Sequence, residues 1–300
     1  VYPFANMYAH VVGYDTKGKS GVESLANFSL MTSHNNYVDQ VKNEILEKKN
    51  PGDHVVLTLN NTLQQVAYNA LGSYKGAVVV MDPQTGAVLA EVSKPDFNPN
   101  TVDQDWETLV NDASNSSLLN RATQGAYPPG SIFKVVDTLA YLRAHGTIEG
   151  FQYTCNGKIT VDGHTIPCFA GEVHGTEDFT TAFAESCNTA FTQIGLDLGK
   201  DILNDTAESL LFNSKLPISL DYHKSKFDLG ENPGNPLLMQ TAIGQGNTLV
   251  SPMHMAMITS AIANKGKLMQ PYYIEHVETV GGKTVETTKP KVYKLSLIHI

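Results

Sequence analysis

The sequence contains no long apolar run. No stretch approaches the roughly 18 consecutive apolar residues of a membrane-spanning helix, and the chain does not open with the basic, apolar and small-residue segments of an export signal. A composition of 41% hydrophobic and 17% charged residues is typical of a globular chain. We therefore expect a folded domain, and we expect any signal or membrane anchor to precede Val1.

Positive charge is scarce as well. The 21 Lys and Arg residues face 30 Asp and Glu residues, and the formal net charge is −9. Proteins that bind nucleic acid gain affinity when basic side chains displace counterions from the phosphates, and this sequence has no basic tract. The sequence therefore predicts no nucleic-acid ligand.

Cysteine is rare too. The three cysteines, Cys155, Cys168 and Cys187, leave one thiol unpaired in any disulfide scheme and are too few for a fold built on disulfides. Cys155 and Cys168 flank the strand-like stretch 158–166, so a disulfide between them and free buried thiols are both open alternatives. Neither alternative assigns the cysteines a catalytic role.

The histidines do not lie at the sequence spacing from cysteines that common metal sites show. We expect His174, which precedes Gly175, and His254, on a Met-rich helical pattern, to be turn and packing residues. The sequence therefore predicts neither a metal nor an organic cofactor.

The breaker Asn50-Pro51-Gly52 predicts a domain boundary after a polar first segment, residues 1–52. A strand is expected at 54–59, followed by a helix capped by Asn60-Asn61. Residues 76–81 and 87–93 then predict a β-hairpin around a turn that contains Pro and Gly.

Four helical patterns follow from Ser131 onward. A helix that begins at Ser131 is apolar nearly all round and ends before Gly146, as expected for a helix inside a domain. Two further patterns, 179–185 and 189–198, are broken at Ser186-Cys187-Asn188. A last helix begins at Pro252.

Ser131 and Lys134 have a spacing that suits a nucleophile and its general base. A hydroxyl in the first turn of a helix and an amine three residues later share one face of that helix. A serine needs a neighbouring base to take its proton, and a lysine serves when burial lowers its pKa. The backbone N–H of Ser131 at a helix N-terminus is expected to stabilise an oxyanion.

Ser186 and Asn188 add a second hydroxyl and an amide at a helix break. Such side chains can relay a proton or hold a substrate amide. Taken alone, the pair is better explained as caps of the following helix.

Together, S-x-x-K at Ser131 and S-x-N at Ser186 resemble the active-site serine penicilloyl-transferases, which are the penicillin-binding proteins and serine β-lactamases. The further segments resemble the class B, monofunctional penicillin-binding proteins in particular: Tyr2-Pro3, Ala9-His10-Val11-Val12-Gly13-Tyr14, Gly21-Val22-Glu23, Gly76-Ala77-Val78-Val79, Leu119-Asn120-Arg121-Ala122, Tyr127-Pro128-Pro129-Gly130-Ser131, His174-Gly175 and Gly244-Gln245-Gly246.

The resemblance implies an α+β transpeptidase domain, with an antiparallel sheet flanked by helices and an all-helical lobe. Residues 1–52 would end a pedestal or linker domain, and residues 53–294 would form an incomplete transpeptidase domain. The parent protein would be anchored by an N-terminal helix at the outer face of the bacterial membrane. Cell-division or elongation membrane proteins would be its partners.

The resemblance also implies roles for the motif residues. Ser131 would be acylated by the D-Ala-D-Ala end of a peptidoglycan stem peptide or by a β-lactam antibiotic, with Lys134 as general base. Ser186 and Asn188 would pass the proton to the leaving group and position the acyl chain. An amine of a second stem peptide would then complete the cross-link.

The third motif of that family, Lys-Thr-Gly, is not found in the sequence. Lys283-Thr284-Val285 follows Gly281-Gly282 in a predicted hairpin turn, and valine cannot replace a glycine that admits substrate to the backbone. We interpret residues 295–300, Leu-Ser-Leu-Ile-His-Ile, as a translated sequencing adapter and expect the motif in the natural continuation. The chain as it stands is then expected to have little activity.

Three alternatives stay open at this point. A serine β-lactamase would share Ser131 and Lys134 but needs a glutamate to activate water, for which the segment at Glu208 has one residue too many. A β-lactam sensor that acylates without turnover has the same motifs. A class A bifunctional enzyme fits the segment 2–23 less well.

Overall fold

The computed structural model describes residues 1–34 and 37–295. Within these residues the helices are α1 (Ala9–Val12), α2 (Gly21–Leu25), α3 (Asn27–Met31), α4 (Tyr37–Ile45), α5 (Asn61–Leu71), α6 (Val102–Asn111), α7 (Lys134–His145), α8 (Phe179–Ala184), α9 (Asn188–Ser209), α10 (Asn235–Thr241) and α11 (Pro252–Ala263). The strands are β1 (His54–Leu57), β2 (Gly76–Met81), β3 (Val88–Lys94), β4 (Tyr153–Cys155), β5 (Lys158–Val161), β6 (His164–Pro167), β7 (Gly175–Glu177), β8 (Lys267–Met269), β9 (Ile274–Glu278), β10 (Thr284–Thr287) and β11 (Val292–Leu295).

The chain forms two compact units. The first comprises Val1–Gly125, Pro217–His223 and Pro252–Leu295, and the second contains Ala126–Leu216 and Lys224–Ser251. No helix of the described residues is long and apolar enough to cross a membrane. Of the tail that we interpret as adapter-derived, residues 296–300 lie outside the described part of the chain.

The first unit is built on antiparallel strand pairs. Strand β9 lies between β1 and β10, while β2 pairs with β3 and β8 pairs with β11. The predicted β2–β3 hairpin is confirmed. Its turn ends at Gly86, whose φ is +83° and where an added Cβ would lie 2.5 Å from the carbonyl oxygen of Gln270, so only glycine fits.

A buried carboxyl group organises the core of the first unit. Glu91 on β3 is 1% exposed and accepts hydrogen bonds from Tyr273 at 2.6 Å and from Asn120 at 2.8 Å. Burial raises the pKa of Glu91, and the two hydrogen bonds act in the opposite direction. The side chain of Gln64 on α5 bonds the backbone of Glu91 and so joins α5 to β3.

Local sequence signals explain where several helices begin and end. The side chain of Asn60 accepts the backbone N–H of Leu63 at 3.0 Å and caps α5, as predicted. Gly146, with φ +75°, ends α7. Helix α9 continues past the predicted end at residue 198 to Ser209, and it is kinked at Gly199, whose φ is +70°.

The second unit packs α7 against α9. Its aromatic core includes Phe133, Phe212 and Phe227, with the rings of Phe133 and Phe227 stacked at 5.7 Å. The α+β class is confirmed. The lobe that the resemblance described as all-helical also carries two antiparallel pairs, β4–β7 and β5–β6, because the stretch 153–177 alternates short strands with glycine turns.

Candidate active site

The hydroxyl of Ser131 is presented by a turn that enters α7. Ser131 lies in a 3₁₀ turn, Gly130–Phe133, which runs directly into α7 at Lys134. Ser131 is exposed while Phe133 is fully buried. The buried ring therefore anchors the turn, and the serine hydroxyl remains accessible to a ligand.

The backbone before Ser131 is held by the segment Gly244-Gln245-Gly246. The N–H of Gly130 donates to the carbonyl of Gly244 at 2.9 Å. A Cβ on Gly244 would lie 2.0 Å from the carbonyl oxygen of Gly130, and the φ of Gly244 is +70°. Both the contact and the dihedral therefore require glycine, which explains this part of the sequence pattern.

Lys134 is a buried amine in a polar cage. It is 2% exposed, and its Nζ donates to the carbonyl oxygen of Ser186 at 2.5 Å, to the Ser186 hydroxyl at 2.9 Å and to Oδ1 of Asn188 at 2.8 Å. The hydroxyl of Ser131 lies 3.4 Å from the same nitrogen. The amine thus contacts the three other predicted site residues.

Burial makes this amine a better base at neutral pH than an exposed lysine. Desolvation lowers the pKa of Lys134 to about 8, against the opposing electrostatic effect of Cys187, Asp137 and Cys168. Near pH 7, the neutral fraction of the Lys134 amine is therefore larger than that of a lysine in water. A neutral amine within reach of a serine hydroxyl can accept its proton.

Ser186 and Asn188 occupy the break between α8 and α9. The backbone of Ser186 is left-handed, with φ +53°, a conformation that costs a residue other than glycine about 1–2 kcal/mol. Asn188 begins α9, and its Nδ2 donates to the carbonyl of Pro167 at 3.1 Å. Strain of this kind concentrates at functional sites.

The side chains of Ser186 and Asn188 do not cap α9. The N-cap of α9 is Cys187, whose sulfur accepts the N–H of Ala190 at 3.5 Å. Ser186 and Asn188 instead bond the amine of Lys134. The four predicted residues thus form one cluster of two hydroxyls, one amine and one amide.

Asp137 is a neighbour that the sequence analysis missed. Its carboxyl group is fully buried on α7, and neither oxygen has a hydrogen-bond partner among the described residues. Burial raises the pKa of Asp137 well above its usual value. Its position three residues after Lys134, on the same helical face, was the signal that could have revealed it.

Lys283-Thr284-Val285 lies at a hairpin turn, as predicted. The N–H of Thr279 donates to the carbonyl of Lys283 at 2.9 Å, and β10 begins at Thr284.

Comparison with known proteins then decides the family. The family model of the penicillin binding protein transpeptidase domain matches residues 76–297. The chain belongs to the penicillin-binding protein transpeptidase family. Its predicted membership of the class B penicillin-binding proteins is confirmed.

Two curated relatives of this transpeptidase chain are mycobacterial. Peptidoglycan D,D-transpeptidase PbpA of Mycolicibacterium smegmatis is 32% identical over 97% of the chain and 63% of the relative. The protein of the same name from Mycobacterium tuberculosis is 32% identical over 96% of the chain and 62% of the relative. The chain therefore spans less than two thirds of the length of either relative.

Solved structures confirm the transpeptidase fold. The imipenem acyl-enzyme complex of penicillin-binding protein A from M. tuberculosis superposes with a TM-score of 0.89 at 30% identity, covering 99% of this chain and 72% of the other. The penicillin G acyl-enzyme complex of that protein gives a TM-score of 0.87 at 30% identity, with coverage of 99% and 73%.

Proposed function

We propose that the parent protein of this chain is a peptidoglycan D,D-transpeptidase with Ser131 as its nucleophile. The observation that carries the proposal is the position of the buried Lys134 amine, which contacts Ser131, Ser186 and Asn188 together. The curated relatives named as D,D-transpeptidases and the acyl-enzyme complexes of penicillin-binding protein A support it.

In the acylation step, Oγ of Ser131 attacks the carbonyl carbon of the penultimate D-Ala, and Lys134 accepts the hydroxyl proton. The peptide bond to the terminal D-Ala breaks. The proton passes from Lys134 to the leaving amine through Ser186, whose hydroxyl lies 2.9 Å from the lysine nitrogen.

In the transfer step, the amine of a second stem peptide attacks the ester at Ser131. Its proton returns through the same groups, the new amide bond forms and the serine hydroxyl is restored. A β-lactam enters the first step as a mimic of D-Ala-D-Ala and leaves Ser131 acylated. Asn188, fixed between Lys134 and the carbonyl of Pro167, holds an amide of the acyl chain.

We further propose the setting in which this reaction takes place. Residues 1–52 end a pedestal domain and residues 53–294 belong to the transpeptidase domain. The parent protein is anchored at the outer face of the bacterial membrane and works with cell-division or elongation proteins. The relatives' role in building peptidoglycan supports this setting, since the polymer lies outside the membrane.

Labelling of the full-length protein with fluorescent penicillin tests the nucleophile. Ser131→Ala is expected to abolish the covalent label, whereas Ser214→Ala, which changes another exposed serine of the same unit, retains it. Peptide mass spectrometry should place the adduct on Ser131. Full labelling of Ser131→Ala would refute this assignment.

The fate of the acyl group separates transpeptidation from the alternatives. With a D-Ala-D-Ala stem peptide and an acceptor amine, a transpeptidase forms the cross-linked product with repeated turnover. Rapid release of hydrolysed β-lactam would identify a β-lactamase instead. A single acylation without product would identify a sensor.

A further inference from the structure

Four metal-ligating side chains converge in the second unit, next to the Ser186–Asn188 motif. The sulfurs of Cys155, Cys168 and Cys187 and the imidazole of His174 each offer one ligand atom, and all four atoms lie within 4.8 Å of one another. The three cysteines are buried and free, and the His174 side chain is 11% exposed. None of these residues takes part in the proposed acyl transfer.

Four of the six separations between these atoms are close to the edges of a tetrahedron around zinc, and the other two are at most 4.8 Å. With Zn–S bonds of about 2.3 Å and Zn–N bonds of about 2.0 Å, ideal tetrahedral edges are about 3.8 Å between sulfurs and about 3.5 Å between sulfur and nitrogen. Cys155 and Cys168 are 3.6 Å apart, and Cys168 and Cys187 are 3.9 Å apart. Nδ1 of His174 lies 3.4 Å and 3.9 Å from the sulfurs of Cys155 and Cys168.

Backbone donors are directed at the sulfurs. The N–H of Gly157 donates to the sulfur of Cys155 at 3.4 Å, and the N–H of Ala190 donates to that of Cys187 at 3.5 Å. N–H donors of this kind stabilise metal-bound thiolates and orient them. The Gly157 donor lies in the turn after β4, and the Ala190 donor lies in the first turn of α9. The backbone of these two elements therefore orients the two sulfurs.

Two carboxyl groups lie near the imidazole of His174. Its Nε2 is 3.7 Å from a carboxylate oxygen of Glu172, which is beyond hydrogen-bond distance, and has no hydrogen-bond partner in the described part of the chain. The carboxyl group of Glu177 is fully buried, and its Oε2 is 3.9 Å from Nδ1 of the same ring. Its oxygens have no hydrogen-bond partner in the described part of the chain.

We propose that Cys155, Cys168, His174 and Cys187 bind one zinc ion in a closed Cys3His structural site. Three soft sulfur donors and an imidazole in tetrahedral arrangement favour Zn²⁺ over hard cations such as Mg²⁺ or Ca²⁺. Each thiol releases its proton to solvent when the ion binds. A Cys155–Cys168 disulfide, by contrast, would leave the third sulfur and the imidazole without a role.

The zinc site would fix the second motif of the transpeptidase centre. Cys187 stands between Ser186 and Asn188, and Cys168 follows Pro167, whose carbonyl accepts the Asn188 amide at 3.1 Å. One ion bound to both cysteines therefore ties together the two segments that position Asn188. This consequence rests on the proposed acyl-transfer function, whereas metal binding does not.

Metal analysis of untagged full-length protein tests the site. Protein is purified from zinc-supplemented cells and dialysed without chelator, and its metal content is measured by inductively coupled plasma mass spectrometry. We expect about one zinc ion per chain. Cys168→Ser and His174→Ala are expected to lose most of it. His223→Ala, which changes an exposed histidine that is not one of the four ligands, should keep the wild-type content.

Cobalt exchange gives a readout that does not depend on how the variants fold. Wild-type protein in which Co²⁺ replaces zinc should show thiolate-to-metal charge-transfer absorption and the intense visible bands of tetrahedral cobalt. Any one of three results would overturn the proposal. These are wild-type protein that contains little zinc, ligand variants that both retain the wild-type zinc content, and a Cys155–Cys168 disulfide found by peptide mapping. Penicillin labelling of the same samples reports separately on Ser131, so a failed metal site and a failed acyl-transfer function are distinguishable.

Discussion

The side-chain nitrogen of Lys134 lies nearer to the hydroxyl oxygen of Ser186, at 2.9 Å, than to that of Ser131, at 3.4 Å. The amine is therefore held by the second motif while it remains within reach of the proposed nucleophile, Ser131. Of the groups of Ser186 and Asn188 that accept from the Lys134 amine, the Ser186 hydroxyl is the one that can also donate a proton onward. This order of distances explains why the two motifs act as one unit in the proposed mechanism.

Replacement of Lys134 by methionine should slow acylation without preventing β-lactam binding. The variant keeps most of the buried volume but removes the base, and a positioned general base contributes about 10²–10⁴-fold to rate. Stopped-flow measurement of penicillin acylation in the full-length protein separates the rate from the initial dissociation constant. Lys158→Met, at an exposed lysine of the same unit, is the control, and equal acylation rates in the two variants would remove Lys134 as the base.

The acylation rate should rise with pH up to about 8 and then level off. The reactive form of Lys134 is the neutral amine, and its fraction grows as pH increases through the pKa of about 8. Burial sets this low value, and the neighbouring Cys187, Asp137 and Cys168 oppose it. Below the pKa the rate should fall about tenfold per pH unit. A rate that stays constant from about pH 6 to about pH 9 would contradict this assignment.

Ser186→Gly should be more stable than Ser186→Ala but equally impaired in acylation. Both variants lose the hydroxyl that contacts Lys134, but only glycine adopts the left-handed φ of +53° without steric cost. We expect a difference of about 1 kcal/mol in the free energy of unfolding, measured by denaturant titration. Equal stabilities would show that this backbone position is not strained.

Gly244→Ala should destabilise the protein and disturb the Ser131 turn. Its Cβ would lie 2.0 Å from the carbonyl oxygen of Gly130, so one of the two backbones must move. Gly230→Ala is a matched control, because Gly230 has a similar φ of +68° with no atom within 4 Å of the added Cβ. Thermal unfolding should show the larger loss for Gly244→Ala, and the penicillin-labelling rate should fall in that variant alone.

Much of the local structure follows from short-range sequence signals. The Asn60 cap, the β2–β3 hairpin and the start of α11 at Pro252 were predicted because each depends on neighbouring residues. The predicted end of this helix at residue 198 coincides with the kink at Gly199, whose φ of +70° is non-helical, but the continuation of α9 from there to Ser209 was not predicted.

The cysteines show the limit of the same reasoning. Cys155 and Cys168 are 13 residues apart, and Cys168 and Cys187 are 19 apart, which is not the short spacing by which zinc sites are read from a sequence. The strands β4 to β7 and the start of α9 bring these residues together. Only the folded chain therefore shows the proposed ligand set, because its geometry depends on segments that no local pattern connects.

The sequence by itself determined the family and predicted the nucleophile–base pair, because Ser131 and Lys134 are three residues apart and one turn of helix suffices to align them. Only the tertiary structure decided what surrounds that pair. Lys134 meets Ser186 across 52 residues of chain, and the desolvation that lowers its pKa comes from burial among distant segments. Spacing along the chain thus selects the reacting groups, while packing sets their distances and their protonation.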